Sequence, residues 1–158
     1  MEFNLETKLH GIPNINALLS EGERQARLLL MDKIIMSGNP VKPAEFPDND
    51  LLQSLVRKGV IAQDKNGAVC VVYPVSALPT PHKVKLKESK SFYAICAVDS
   101  LGSAFIFTQK IIITSLCSHC QKPVSVAIEN GEISSFDPDT IFVTHTDLAG
   151  EVNWAGTC

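Results

Sequence analysis

Apolar residues recur at helical spacing in the first part of this chain and give way near residue 60 to a hairpin pattern, which makes residues 14 to about 74 a small helical lobe ending in a hairpin. Ser20 and Glu23 form a capping-box pattern at the head of a run in which Ala26, Leu29, Leu30 and Ile34 recur at helical spacing up to Ser37-Gly38. A turn around Pro43-Ala44-Glu45-Phe46 leads to Asp48 in an N-cap position. Leu51, Leu52, Leu55 and Val56 then share one face before Gly59. Beyond it, Val60-Ile61-Ala62 and Ala68-Val69-Cys70-Val71-Val72 flank Asn66-Gly67, a hairpin pattern. Helix, short helix, helix and hairpin is the winged-helix order.

Pro74, Pro79 and Pro81 mark a linker in which regular helix and central strand are both excluded. The alternation in Lys83-Val84-Lys85-Leu86-Lys87 predicts an edge strand with its lysines toward water, so a second lobe is expected to begin near residue 82. Ser91 is placed to cap a short buried helix from Phe92 to Leu101, ended by Gly102. Strands are expected at Ile111-Ile112-Ile113-Thr114, Val124 to Ile128, Ile133-Ser134-Ser135 and Ile141-Phe142-Val143-Thr144, with a turn at Asn130-Gly131. The expected class is α+β. A winged-helix-like helical lobe and linker occupy residues 1–81, and a mainly antiparallel β-sheet lobe carrying a short catalytic helix occupies 82–158.

The formal charge is −3 and no lysine or arginine cluster is present, which argues against nucleic acid as a partner. The second long helix carries only Arg57 and Lys58 at its end, against Asp48 and Asp50 at its start. Hydrophobic residues make up 45% and charged residues 20%, and no apolar run approaches the ~20 residues that span a bilayer. The first residues, Met1 to Glu6, lack the apolar core of a secretory signal, so a cytoplasmic protein without membrane contact is expected.

In such a compartment the five cysteines, Cys70, Cys96, Cys117, Cys120 and Cys158, point to thiol chemistry or metal binding over a disulfide framework. Two constellations stand out. Cys96 and Asp99, three apart on the expected helix, would lie with β-carbons ~5–6 Å apart on one face. Their apolar neighbours would keep the carboxyl from ionising easily. The alternative is a capping or loop-bonding aspartate beside an inert core cysteine.

The second constellation is Cys117-Ser118-His119-Cys120, a C-x-x-C following a strand. A zinc site completed by His119, His145 or Cys158, a redox pair, and a purely structural cysteine are the open readings. Cys158 stands last, with Trp154 placed to anchor the tail. The four histidines, His10, His82, His119 and His145, show no spacing that builds a metal site by themselves.

The stretch Phe92-Tyr93-Ala94-Ile95-Cys96-Ala97-Val98-Asp99-Ser100-Leu101 resembles the "Tyr-Ala-x-Cys-Ala-x-Asp-Thr-Leu" segment of the organomercurial (alkylmercury) lyases. Ser115 to Ser125, with Pro123-Val124-Ser125, is similar to that family's serine- and cysteine-containing strand end. Asp137-Pro138 and the approach to Cys158 agree in spacing. The resemblance implies that Cys96 and Cys158 are the mercury-binding thiols, Asp99 the proton-handling carboxylate, and Cys117 a buried structural cysteine.

It further implies protonolytic cleavage of a carbon–mercury bond without an organic cofactor. The products would be a hydrocarbon and Hg(II) on two thiolates, removed by cellular thiols or a mercuric reductase. The family continues past its second cysteine, so the chain is expected to lack that C-terminal segment. Cys120 is an addition to the pattern, and it makes Cys117 and Cys120 a further candidate metal pair. The competing readings are a non-catalytic soft-metal (Hg, Zn or Cu) binding protein of the same fold and a metal-sensing winged-helix regulator.

Overall fold

The computed structural model describes residues 15–46 and 48–144. A single turn, α1 (Ile15–Leu18), precedes α2 (Glu21–Ser37), whose start is the predicted capping box. The Glu23 amide donates to Ser20 Oγ at 3.3 Å and the Ser20 amide donates to Glu23 Oε2 at 2.7 Å, which satisfies two of the helix's open donors. Gly38, left-handed at φ 67°, closes it. The buried side of α2 carries Glu23, Ala26, Arg27, Leu30, Met31 and Ile34. Leu29, expected on that side, is exposed, and Arg27 takes a place inside.

After a 3₁₀ turn at Pro43–Glu45 comes α3 (Asn49–Arg57). Asp48 caps it, its carboxylate accepting the Leu51 amide at 3.0 Å. Two contacts lock α3 to α2: Ser54 Oγ donates to Glu23 Oε1 at 2.6 Å and Lys58 Nζ to Glu23 Oε2 at 2.7 Å.

The strands are β1 (Ile61–Gln63), β2 (Val69–Val72), β3 (Val75–Ser76), β4 (His82–Lys85), β5 (Ser91–Ala94), β6 (Ile111–Leu116), β7 (Pro123–Glu129) and β8 (Glu132–Asp137), with α4 (Ala97–Phe107) between β5 and β6. They form one sheet in the order β1-β2-β3-β5-β4-β6-β7-β8, every neighbouring pair antiparallel. A mixed α and antiparallel β architecture is therefore present. Strands from both sides of residues 81 and 82 belong to the one sheet, β3 pairing directly with β5.

Four local expectations are corrected. Val75 and Ser76, inside the proline-marked stretch, do form a central strand, because each proline lies outside the two paired residues and Val75 is fully buried between β2 and β5. The lysine-bearing strand β4 is interior, paired to β5 on one side and β6 on the other. Its alternation reports which face is wet, with Lys83 and Lys85 out and Val84 fully buried, and says nothing about an edge. Phe92 to Ala94 is strand, with Phe92 and Ala94 buried on one face, and the helix begins only at Ala97 and passes through Gly102 to Phe107. Ile141 to Thr144 forms no strand.

The core lies between this sheet and the helices, with Leu30, Met31, Ile34, Leu55, Val72, Val75, Val84, Ala94 and Ile111 at its centre. Phe92 and Phe107, rings 5.3 Å apart and tilted, tie β5 to the far end of α4. No described helix is long and apolar enough to cross a membrane.

Candidate active site

Strand β5 ends at Ala94, and two residues later the chain turns into α4 with Cys96 at the N-cap. The extended backbone of Cys96 (φ −142°, ψ 177°) leaves its side chain over the first helical turn. There Sγ accepts the Asp99 amide at 3.4 Å and the thiol donates to Asp99 Oδ2 at 3.3 Å. Thiol and carboxyl do converge, as their spacing predicts, but as a capping pair at the helix mouth and not as neighbours on a helix face.

Asp99 is half-buried, and the hydroxyls next to it are turned to the helix backbone. Ser103 Oγ donates to the Asp99 carbonyl at 2.9 Å, and Ser100, almost wholly buried, donates to the Ala97 carbonyl at 2.7 Å. Burial pushes the Asp99 carboxyl from its ordinary 3.8 up to about 6, against the opposing pull of the Cys96 thiol and the positive Arg27. Arg27 reaches this region from α2. It is buried, donates through Nε and Nη2 to the Tyr73 carbonyl at 3.2 and 2.6 Å, and feels the negative charge of Asp99. The Pro74 carbonyl, one residue on, accepts the Ile95 amide at 3.3 Å, immediately before Cys96.

Cys96 opens onto a cavity of about 680 Å³. Its walls come from the start of α4, the end of β6, the β6–β7 hairpin and residues 138–144, with Leu116, Val124, Ile141 and Phe142 supplying apolar surface. His82 and Ser115 also face it, His82 Nδ1 lying 2.9 Å from Ser115 Oγ. Burial lowers the His82 pKa, favouring the neutral ring.

Across the cavity sits the β6–β7 hairpin, closed by the Cys117 amide on the Lys122 carbonyl at 2.9 Å and the Gln121 amide on the Cys117 carbonyl at 2.9 Å. Gln121 is left-handed at φ 57°. Cys117 and Cys120 both line the cavity. Cys117 is half-exposed and Cys120 exposed, so the expectation of a buried Cys117 is corrected: a hairpin tip presents its side chains to solvent. The backbone of Cys120 and His119 and the Cys120 side chain, placed to hydrogen-bond a thiolate, hold the Cys117 pKa below the usual thiol value.

Among the described residues the cysteines are free thiols, and no group of three or more His, Cys, Asp or Glu side chains is gathered to hold a metal. Cys70 is buried away from the cavity, with burial raising its pKa. Cys158, His145 and Trp154 lie outside the described residues, as does His10.

Residues 75–158, just over half of the chain, match the alkylmercury lyase (MerB) family model. The chain belongs to the alkylmercury lyase family. The matched segment contains Cys96, Asp99, Cys117, Cys120 and Cys158. An alkylmercury lyase of Staphylococcus epidermidis is 28% identical over 118 residues, covering 71% of this chain and 54% of that protein. One of Bacillus cereus is 28% identical over 127 residues, 80% of this chain and 53% of its own length. The chain thus spans about half the length of these family members. A crystal structure of the mercury-bound form of MerB2 superposes with a TM-score of 0.71 at 18% identity, covering 90% of this chain and 73% of that one, which establishes a shared fold.

The pattern of the sequence left three site residues unmarked. Arg27 stands in an apolar helix face, where a long polar side chain reads as a boundary residue. His82 and Ser115 meet because β4 pairs with β6 in a register that sets Lys83 opposite Thr114, and neither residue carries a local signal of that pairing.

Proposed function

We propose that this chain cleaves the carbon–mercury bond of organomercurials by protonolysis, with Cys96 as nucleophile and Asp99 as the proton carrier. The observation that carries the reading is the hydrogen bond of 3.3 Å between Asp99 and the thiol of Cys96, a residue of the cavity wall. With a pKa near 6, Asp99 is mostly carboxylate at neutral pH and can accept the thiol proton as Cys96 attacks the soft metal. The substrate arrives as an alkyl- or aryl-mercury ion on an exchangeable ligand. Cys96 forms a sulfur–mercury bond, and the displaced ligand leaves.

Asp99 now holds the proton in a poorly hydrated place. As a second thiolate joins the metal and pushes electron density onto the bound carbon, that proton passes to the carbon. The carbon–mercury bond breaks, hydrocarbon leaves and Hg(II) stays on sulfur. By the family resemblance Cys158 is the second thiolate. The apolar walls at Leu116, Val124, Ile141 and Phe142 suit the organic group. External thiols or a mercuric reductase then take the ion, and the reaction calls on no organic cofactor. The helical segment ahead of β1 fits a winged-helix-like module whose part is packing, including the burial of Arg27, whose charge acts on Asp99.

The test is headspace detection of benzene or methane after incubating the protein with phenylmercury or methylmercury and excess thiol, beside Cys96→Ser. Cys96-dependent release is the expected result. Stoichiometric mercury binding without any hydrocarbon would reduce the chain to a soft-metal binding protein of this fold.

A further inference from the structure

Protonolysis ends with Hg(II) held by thiolates, and a two-thiolate complex of so soft an ion loses its metal by exchange onto an incoming thiol. Two further thiols face the cavity into which Cys96 opens. Cys117 and Cys120 stand on a hairpin tip whose backbone is fixed by the paired bonds between Cys117 and Lys122 and between Gln121 and Cys117. Three residues apart in a single turn closed by the Gln121–Cys117 bond, the two thiols share one wall of the cavity, and Cys120 is exposed to solvent.

A closed zinc shell needs four donors, and no cluster of three is gathered among the described residues. Hg(II) is satisfied by two thiolates in line. The exposed position of Cys120 leaves its side chain room to open to that geometry. We propose that Cys117 and Cys120 form a second Hg(II) site, a dithiol that receives the ion released at Cys96 and presents it to external thiols.

The transfer rests on the carbon–mercury cleavage proposed above for its source of Hg(II). Its balance is that of ligand exchange. Each sulfur–mercury bond broken at the donor site is replaced by one formed to Cys117 or Cys120, the proton of each incoming thiol passes to the sulfur it displaces, and nothing is oxidised or reduced.

The binding test needs no catalysis. Mercuric chloride is titrated into Cys96→Ser against glutathione, with bound metal followed by native mass spectrometry and by sulfur-to-mercury charge-transfer absorption. One Hg(II) should be retained. Adding the exposed-site change Cys120→Ser should weaken retention on the order of 100-fold or more, as chelation by two linked donors becomes binding by one. Equal retention in the two variants, or none in Cys96→Ser, overturns the site.

The relay is tested on the unaltered chain with less than one equivalent of phenylmercury. After benzene appears, iodoacetamide mapping should find Cys117 and Cys120 protected. Benzene release with both alkylated at the metal-free rate overturns the relay. Absence of benzene overturns the lyase reading and with it the relay, while the chloride titration still decides the dithiol site on its own.

Discussion

Cys96 and Asp99 exchange two hydrogen bonds across the first turn of α4, thiol to Oδ2 at 3.3 Å and amide to Sγ at 3.4 Å. One side chain thus caps a helix and is also the proposed nucleophile. The two roles separate by substitution, because a serine can cap and an alanine cannot.

Cys96→Ser should melt at or above the parent's temperature, since serine is a strong N-cap acceptor, whereas Cys96→Ala should lose about 1 kcal/mol. Both should lose hydrocarbon release. Thermal unfolding by circular dichroism beside headspace analysis checks this, and a serine variant releasing hydrocarbon at the parent's rate would remove Cys96 from the chemistry.

Asp99 gives a pH signature. The carboxylate form, which accepts the thiol proton, fills as pH rises through about 6, so release should climb through that range and then level. Asp99→Asn should lose this limb and on the order of 100-fold or more of the rate. The linkage has the sign of a raised carboxyl: its contribution to stability is complete below the ordinary value of 3.8 and is lost as pH rises through about 6. The melting temperature of Asp99→Asn should therefore gain on the parent's across that interval. Parallel curves for the two proteins would mean that Asp99 is not held out of water.

Arg27 acts on the same carboxyl from another part of the fold. Arg27→Met removes the two bonds to the Tyr73 carbonyl, a loss of about 1.5–3 kcal/mol for bonds from a charged donor. It also removes the positive charge that draws the Asp99 pKa down, so the activity limb should move to higher pH than in the parent. A limb that stays in place while stability falls would restrict Arg27 to packing.

Glu23 is the opposite case. The Lys58 ammonium, the Ser54 hydroxyl and the Ser20 backbone amide hold its carboxyl down at about 2. Its contribution is present above the ordinary value of 4.5 and is lost as pH falls toward 2. Glu23→Gln should melt below the parent at neutral pH, and the gap should close on acidification. A gap that does not depend on pH would show that the charge on Glu23 contributes nothing to joining α2 and α3.

Much of the fold is written in short-range pattern. The capping box at Ser20 and Glu23, the Asp48 cap, the stop at Gly59 and the Asn66-Gly67 hairpin each depend on residues within a few positions of one another, and each is found where the sequence puts it. Cys96 and Asp99 meet for the same reason. Their spacing of three serves a helix face and an N-cap equally, so the sequence brings them together without saying which.

Tertiary structure decided what depends on partners far along the chain. Val75 and Ser76 are strand because β2 and β5 flank them, and Lys83 lies on an interior strand because both neighbouring edges are occupied. Phe92 to Ala94 is strand because pairing with β3 and β4 outweighs its weak helical preference. The cavity that joins Cys96 to Cys117 and Cys120, the His82–Ser115 contact and the action of the Arg27 charge on Asp99 are products of strand order and helix packing. Residue types and their spacing set out the chemistry that the chain carries. Which thiols share a space is fixed only when one sheet brings distant segments together.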